Sequence, residues 1–522
     1  MTYKLTYSTM FDPPPEMHVQ FEAALAAVRE QLGARHALHI NGEDVHAATH
    51  LAKHSPIDRD ALLGHFSQAT AENARQAIDA ANAAYPTWRA TPPQERVRLM
   101  RRVAQLIEER VYTISAALAL EVGKNRMEAL GETQETADFF SVYADDFEQH
   151  RFFDHALPND PLPSVVSRNR SVMKPYGVWV VITPFNFPFA LAGGPVAAAL
   201  VTGNTVVLKG ASDTPWAGRL LADCVRDAGI PAGVFNYLSG PSSALSDALI
   251  GDARVGGVTF TGSYEVGMSL VRRLNTGRYP KPCIAEMGGK NACVVTRNAD
   301  VERAATGIVR SAFGMGGQKC SALSRLYVEA SVADAVSERI RSKLATICIG
   351  DPTEQSHWLG PVINERALRN YSRYMDELRD HGATILCGGR VLSEGDLGRG
   401  FYVEPTLAEA PSAHPLWRHE MFLPILMLQR VTSLDEAIDR ANGSDLGLTA
   451  GVYGSKAEVA TFLDRIEAGV TYANRAQGAT TGAWPGYQPF AGWKGSGNTG
   501  KAIASFYYLA QYMREQSQTV VE

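Results

Sequence analysis

The chain has 522 residues, 45% of them hydrophobic and 20% charged, with a net charge of −5. That length holds about two to four domains, and the composition is ordinary for a protein that buries large cores. A sequence pI near 6.3 leaves no basic excess to neutralise phosphates, which argues against nucleic acid as a partner.

The opening stretch "MTYKLTYSTMFDPPPEMHVQ" has no apolar core and no small-residue cleavage pattern, so it does not read as a signal peptide. The first 150 residues predict mostly helix, with 3.6-residue periodicity in "NARQAIDAANAAYPTW" and "ERVRLMRRVAQLIEERVYTISAALALEVG". "SVVSRNRSVMK" alternates around a polar Arg-Asn pair and predicts a hairpin. Short β-branched runs then alternate with helical ones: "VWVVIT", "NTVVLK", a helix opened by Thr214 and Pro215 and stopped at Gly229, "VFNYLS" and "GVTFTGS". Such alternation predicts parallel βαβ units in a doubly wound sheet. A second set starts near Ala285 with "ACVVT", a helix over 300–313 and "SRLYVEA", then helices near 331–346 and 365–382. "ATILCGG", "LTAGVYG" and "VTYANR" supply later strands, and "QYMREQSQTVVE" predicts a terminal strand. A hairpin and a terminal strand with unpaired edges suggest pairing with another subunit.

The most apolar stretch, "LAGGPVAAALVTGNTVVLK", is too interrupted by Gly, Pro and Asn to span a bilayer, so no membrane association is expected. The six cysteines are scattered without a C-x-x-C pair, and no His cluster has zinc spacing, so no metal is expected. Reduced thiols in a cytoplasm fit this pattern.

Chemistry is suggested at several points. "GMGGQKCSALSR" places Cys320 behind a glycine loop and beside Lys319, whose charge would favour thiolate. On this stretch alone, an inert structural cysteine stands slightly ahead of a nucleophile, because cysteines near glycine are common. "GSGNTGKA", residues 495–502, imitates a dinucleotide fingerprint and a P-loop. It follows a Pro, Gly and aromatic loop instead of a buried strand, and Ala502 replaces the magnesium-binding hydroxyl, so it reads as an anchoring loop. "FTGSYEVG" is better placed for phosphate, since a strand there ends in Gly262-Ser263 and a helix begins. Lys209 leaves a strand at the carboxyl edge of the sheet, where doubly wound folds bind ligands. Asn186 in "ITPFNFPFA" can donate to an oxyanion, and Glu286 in "IAEMGGK" can activate water or cap a helix.

Taken in order, "PFNFP", "TVVLK", "FTGS", "EMGGKN", "GQKC" and "HEMFLP" resemble the aldehyde dehydrogenase superfamily from about residue 36 to the end. "INGEDV", "EVGKN", "GQKCSALSR" and "TTGAWPGYQPF" are most similar to its 1-pyrroline-5-carboxylate (glutamate semialdehyde) dehydrogenase branch. The resemblance implies an α/β fold with a doubly wound cofactor domain (1–160 and 173–285) and an α/β catalytic domain (286–475). It also implies a β oligomerisation flap (161–172 and 500–522), a substrate anchor region (476–499), and a homodimer or higher homo-oligomer.

The resemblance makes Cys320 the nucleophile, Asn186 the oxyanion donor and Glu286 the general base. Lys209 is implied at the adenosine ribose, Ser263 at the pyrophosphate, and Glu420 at the nicotinamide ribose with Phe422 beside it. Thr183, Phe185, Ser212, Gly262 and Gly288 complete the implied cofactor surface. Ser321, Gly482 and Ala483 would grip a substrate carboxylate, with Phe185 and Phe490 flanking its aliphatic part. The chain departs from the pattern at Leu423 and Ala491, where glycine is usual, and "LSGPSS" lacks a second glycine.

The implied reaction is oxidation of an aldehyde to an acid through a cysteine thiohemiacetal and thioester, with glutamate γ-semialdehyde as the expected substrate. Another aliphatic or aromatic aldehyde is the alternative, and a silent binding relative or a P-loop protein the remote ones. A coenzyme A-acylating relative would lack the base at Glu286. Ser212, three residues after Lys209, carries no charge to repel a 2′-phosphate, so NAD with measurable NADP use is expected.

Overall fold

The computed structural model describes residues 3–477 and 484–521. Gly482 and Ala483 lie outside them. Two seven-stranded sheets organise the chain. In the first, Cys283–Glu286, Val255–Thr261, Val178–Ile182, Thr205–Lys209 and Phe235–Leu238 lie side by side and parallel. These runs are rich in Val and Ile because helices cover both faces, so alternate side chains are buried in both directions.

The chain leaves Val178–Ile182 towards Phe235–Leu238, then returns to lay Val255–Thr261 on the opposite side. That reversal creates a crevice at the carboxyl ends of the strands. Asn204 ties this region together, accepting from Gly177 N–H at 3.0 Å and donating to the Tyr512 carbonyl at 2.9 Å.

In the second sheet the order is Thr384–Cys387, Thr406–Glu409, Ile425–Val431, Leu323–Glu329, Asn291–Val295, Thr449–Tyr453 and Val470–Ala473. Its first strand alone runs antiparallel to its neighbour. Among the described residues, no helix is long and apolar enough to cross a membrane, and no group of three or more His, Cys, Asp or Glu is placed to hold a metal.

The first 150 residues are mostly helix, as expected, and also hold short strands: Leu38–Ile40 and Glu43–Val45 extend the first sheet, and three others form a sheet of their own. Two sequence expectations are corrected. "SRNRSVMK" is not a hairpin but lies within one straight strand, Ser167–Pro175. Its polar residues mimic a turn because they serve cross-strand partners instead, Arg170 pairing with Asp154 and Asn169 donating to the Pro158 carbonyl at 2.8 Å. The hairpin is made with Asp154–Leu157, so the β flap uses residues assigned in sequence to the cofactor domain. Met513–Val521 completes this three-stranded antiparallel flap, while Tyr508 and Tyr512 just before it are buried in the body.

Asn204→Ala should lower the thermal unfolding midpoint, because it leaves a buried N–H and a buried carbonyl unpaired at a cost on the order of 2 kcal/mol. An unchanged midpoint by calorimetry would show that water replaces both bonds.

Candidate active site

Cys320 sits between the helix Val301–Phe313 and the strand Leu323–Glu329, after a tight turn in which Met315, Gly316 and Gly317 all have positive φ. The turn halts the helix and brings the thiol to the sheet edge. Asn291 fixes the backbone there, donating to the Cys320 and Ala322 carbonyls at 2.8 Å each. The paired glycines of "EMGGKN" follow from close approach. A Cβ on Gly289 would lie 2.2 Å from the Cys320 carbonyl, and one on Gly288 2.0 Å from the Glu420 carboxylate.

Glu286 ends the strand Cys283–Glu286, and the 495–502 segment clasps that strand. Ser496 donates to the Gly288 carbonyl at 2.7 Å, and Asn498 bonds Cys283 and Ala285. The false phosphate loop is therefore a brace behind Glu286. Burial raises the Glu286 carboxyl well above its usual range, and its Oε2 is buried without a hydrogen-bond partner among the described residues.

Asn186, 2% exposed, lies in the loop between the strand Val178–Ile182 and the helix Ala190–Val201. Glu132, on the helix Arg126–Gln149, accepts from the Phe189 and Ala190 N–H groups at 2.8 and 3.2 Å. A carboxylate at a helix N-terminus satisfies donors that have no partner in the helix, and here it also fixes the Asn186 loop. Lys124 pairs with the other oxygen of Glu132 and lies 3.6 Å from the centre of the Phe187 ring.

Lys319 does not serve the thiol as its position in the sequence suggested. Its ammonium is 3.0 Å from Glu128 and both groups are buried, so its charge is already matched. Burial, reinforced by the Glu420 and Glu286 carboxylates, pushes the Cys320 thiol up to about 12.

A cavity opens on Cys320. Ser321 and Phe490 line it, as do Tyr7, Glu135, Phe187 and Trp484, which sequence reasoning missed. Phe185 is absent from the lining. Its ring stands edge-on to Phe422 at 5.8 Å, so Phe187, two residues on, is the wall from that loop. Glu135 was legible in principle: "EALGETQETADFF" repeats acids at i, i+4, i+7 and i+10, one face of a helix whose other residues are mostly buried. Burial pushes its carboxyl up to about 8, and the Tyr7 hydroxyl donates to it at 2.6 Å.

The remaining expected residues gather along the crevice of the first sheet. Lys209 donates to Ser242 at 3.0 Å, and burial lowers its ammonium to about 8. Exposed Ser212 donates to the Gly240 carbonyl at 3.0 Å. Ser263 caps the helix Tyr264–Leu274. The Gly262 N–H is not free for phosphate, because it donates to the Glu286 carbonyl at 3.1 Å. Glu420 accepts from Gly289 N–H at 2.9 Å, and Phe422 beside it has a φ of 56°. Leu423 is accommodated by burying its side chain at 5% exposure in the core of the second sheet. The hydroxyl oxygens of Thr183 and Thr261, at the ends of the two strands flanking the reversal, are buried without hydrogen-bond partners among the described residues. Unspent polar groups on an open carboxyl edge, with a lysine at one strand end and Glu420 across the crevice, suit a dinucleotide.

Residues 44–518 match the aldehyde dehydrogenase family, and the chain belongs to it. It is an NAD(P)-dependent aldehyde dehydrogenase by class. Within the family it is 36% identical over 508 residues to 1-pyrroline-5-carboxylate dehydrogenase 1 of Halalkalibacterium halodurans, covering 96% of both chains. The 1-pyrroline-5-carboxylate dehydrogenase of Geobacillus kaustophilus matches to the same identity and coverage. Among solved structures, 1-pyrroline-5-carboxylate dehydrogenase from Thermus with bound NAD superposes with a TM-score of 0.93 at 31% identity, covering 100% of this chain and 99% of that one.

A thiol held near 12 carries little thiolate at neutral pH. Without cofactor, inactivation by iodoacetamide should therefore accelerate about tenfold per pH unit from pH 7 to 9. A plateau in the inactivation rate below pH 8 would show that some group lowers the pKa of Cys320.

Proposed function

We propose that the protein oxidises glutamate γ-semialdehyde, the open form of 1-pyrroline-5-carboxylate, to glutamate with NAD. The observation that carries this reading is the cavity on Cys320: apolar rings for a short aliphatic chain, with one carboxyl, Glu135, in the wall. That carboxyl is the acceptor for the substrate's ammonium, whose arrival favours its ionised form. Ser321 donates to the substrate carboxylate, helped by the backbone at Gly482 and Ala483. The names of the relatives support the same substrate.

In this reading the deprotonated Cys320 sulfur adds to the aldehyde carbon. The Asn186 amide and the Cys320 N–H hold the resulting oxyanion, a contribution of about 3 kcal/mol per donor. NAD, when bound, supplies the acceptor for the hydride that leaves this carbon. The thiohemiacetal thereby becomes a thioester on Cys320. Glu286 takes a proton from water, the hydroxide adds to the thioester, and collapse expels the Cys320 thiolate and releases the acid. Burial suits Glu286 to this work, since a carboxylate held high is a strong base once ionised.

Lys209 and Glu420 would hold the two riboses and Ser263 and Thr183 would serve the phosphates, while Gly288 lets Glu420 come close. Asp213 contributes negative charge near Lys209 and disfavours a 2′-phosphate, while uncharged Ser212 leaves some NADP use. The outer edges of the flap, Asp154–Leu157 and Met513–Val521, offer strands to a second copy of the chain. The six free cysteines fit a reducing cytoplasm.

The test is kcat/KM for glutamate γ-semialdehyde against butanal, run with NAD and NADP side by side. The charged substrate should win at least tenfold, about 1.4 kcal/mol of transition-state binding, with NAD preferred and NADP measurable. Equal use of butanal would remove the glutamate reading, and strict NADP dependence would remove the cofactor reading.

A further inference from the structure

The segment before the helix Pro15–Arg29 reaches the Cys320 cavity and supplies part of its wall. Tyr7 is buried at 6% exposure, and its hydroxyl donates to Glu135 at 2.6 Å. The ring stands edge-on to Trp484 at 5.1 Å and to Phe187 at 6.2 Å, so it joins walls contributed by two distant parts of the chain. Three ties hold the segment down. The Lys4 ammonium lies 3.1 Å from Asp138, which also accepts from the Trp484 indole N–H at 2.7 Å. Arg475 donates to the Ser8 hydroxyl at 2.5 Å. Lys4 also sits over the Tyr487 ring at 5.5 Å.

We propose that Tyr7 is a specificity-determining residue whose ring limits the size of aldehyde that reaches Cys320. A ring fixed at its hydroxyl and packed on two others cannot swing aside without breaking a buried hydrogen bond, so a bulky substrate meets a stiff wall. Short aliphatic aldehydes pass, and aldehydes ending in a ring are refused. The inference rests on the Cys320 cavity being the aldehyde site, and does not depend on glutamate γ-semialdehyde being the substrate.

The experiment compares kcat/KM for propanal and 3-phenylpropanal in the wild type, Tyr7→Leu, Tyr7→Ala and Tyr7→Phe. The wild type should favour propanal. Tyr7→Leu and Tyr7→Ala should shift the ratio towards 3-phenylpropanal at least tenfold, through KM, which is the scale of discrimination a few methylenes provide in an apolar pocket. Tyr7→Phe, which keeps the ring but loses its tie to Glu135, should give a ratio between those of the wild type and Tyr7→Leu. A wild type that uses both aldehydes equally overturns the proposal whether or not the variants fold. So does a parallel fall for both substrates in the Leu or Ala variant, the signature of a merely structural residue. Cys320→Ala is run alongside: retained oxidation there would remove the site reading itself, and failure of the glutamate reading leaves the propanal ratio untouched.

Discussion

Glu132 is a carboxylate at 0% exposure that does three things at once. It neutralises Lys124, accepts from two N–H groups at the start of the helix Ala190–Val201, and thereby fixes the loop that carries Asn186. Lys124 in turn lies against Phe187 in the cavity wall. The same helix face repeats the device: Glu128 holds Lys319 beside the thiol, Glu135 faces the cavity, and Asp138 holds Trp484 and Lys4. Removing one member of such a buried pair leaves an uncompensated charge, at a cost of about 3–5 kcal/mol. One acidic face therefore sets the position of the oxyanion loop, the cysteine loop and the substrate loop together.

That arrangement also commits the Lys319 ammonium to Glu128. Burial, with the nearby Glu420 and Glu286 carboxyls, holds the Cys320 thiol up. The same burial that holds the thiol high also holds the Glu286 carboxyl high.

Much of the scaffold was legible because its signals are local. β-Branched runs bounded by Gly and Pro mark the parallel strands, and Thr214-Pro215 opens its helix where the sequence places it. The segment 495–502 was legible as an anchor because its context denies a phosphate loop, and it braces Glu286. The rest was hidden where meaning depends on distant partners. "SRNRS" looks like a turn until Asp154 and the carboxyl-terminal strand lie beside it. Lys319 looks like the thiol's partner until Glu128, 191 residues away in sequence, takes it. Phe185 and Phe187 are alike in composition and context, and only the packing of Phe422 decides which ring meets the cavity. Tyr7 carries no local signal, since its role comes entirely from Glu135 and Trp484.

The central claim is that Cys320 carries the acyl group and Glu286 releases it. Intact and peptide mass spectrometry of Glu286→Gln after incubation with aldehyde and NAD tests this most directly. A thioester adduct of the acyl mass should accumulate on the peptide containing Cys320 to about one per subunit and be absent without NAD. An unmodified Cys320 peptide in a variant that still reduces one equivalent of NAD would contradict it.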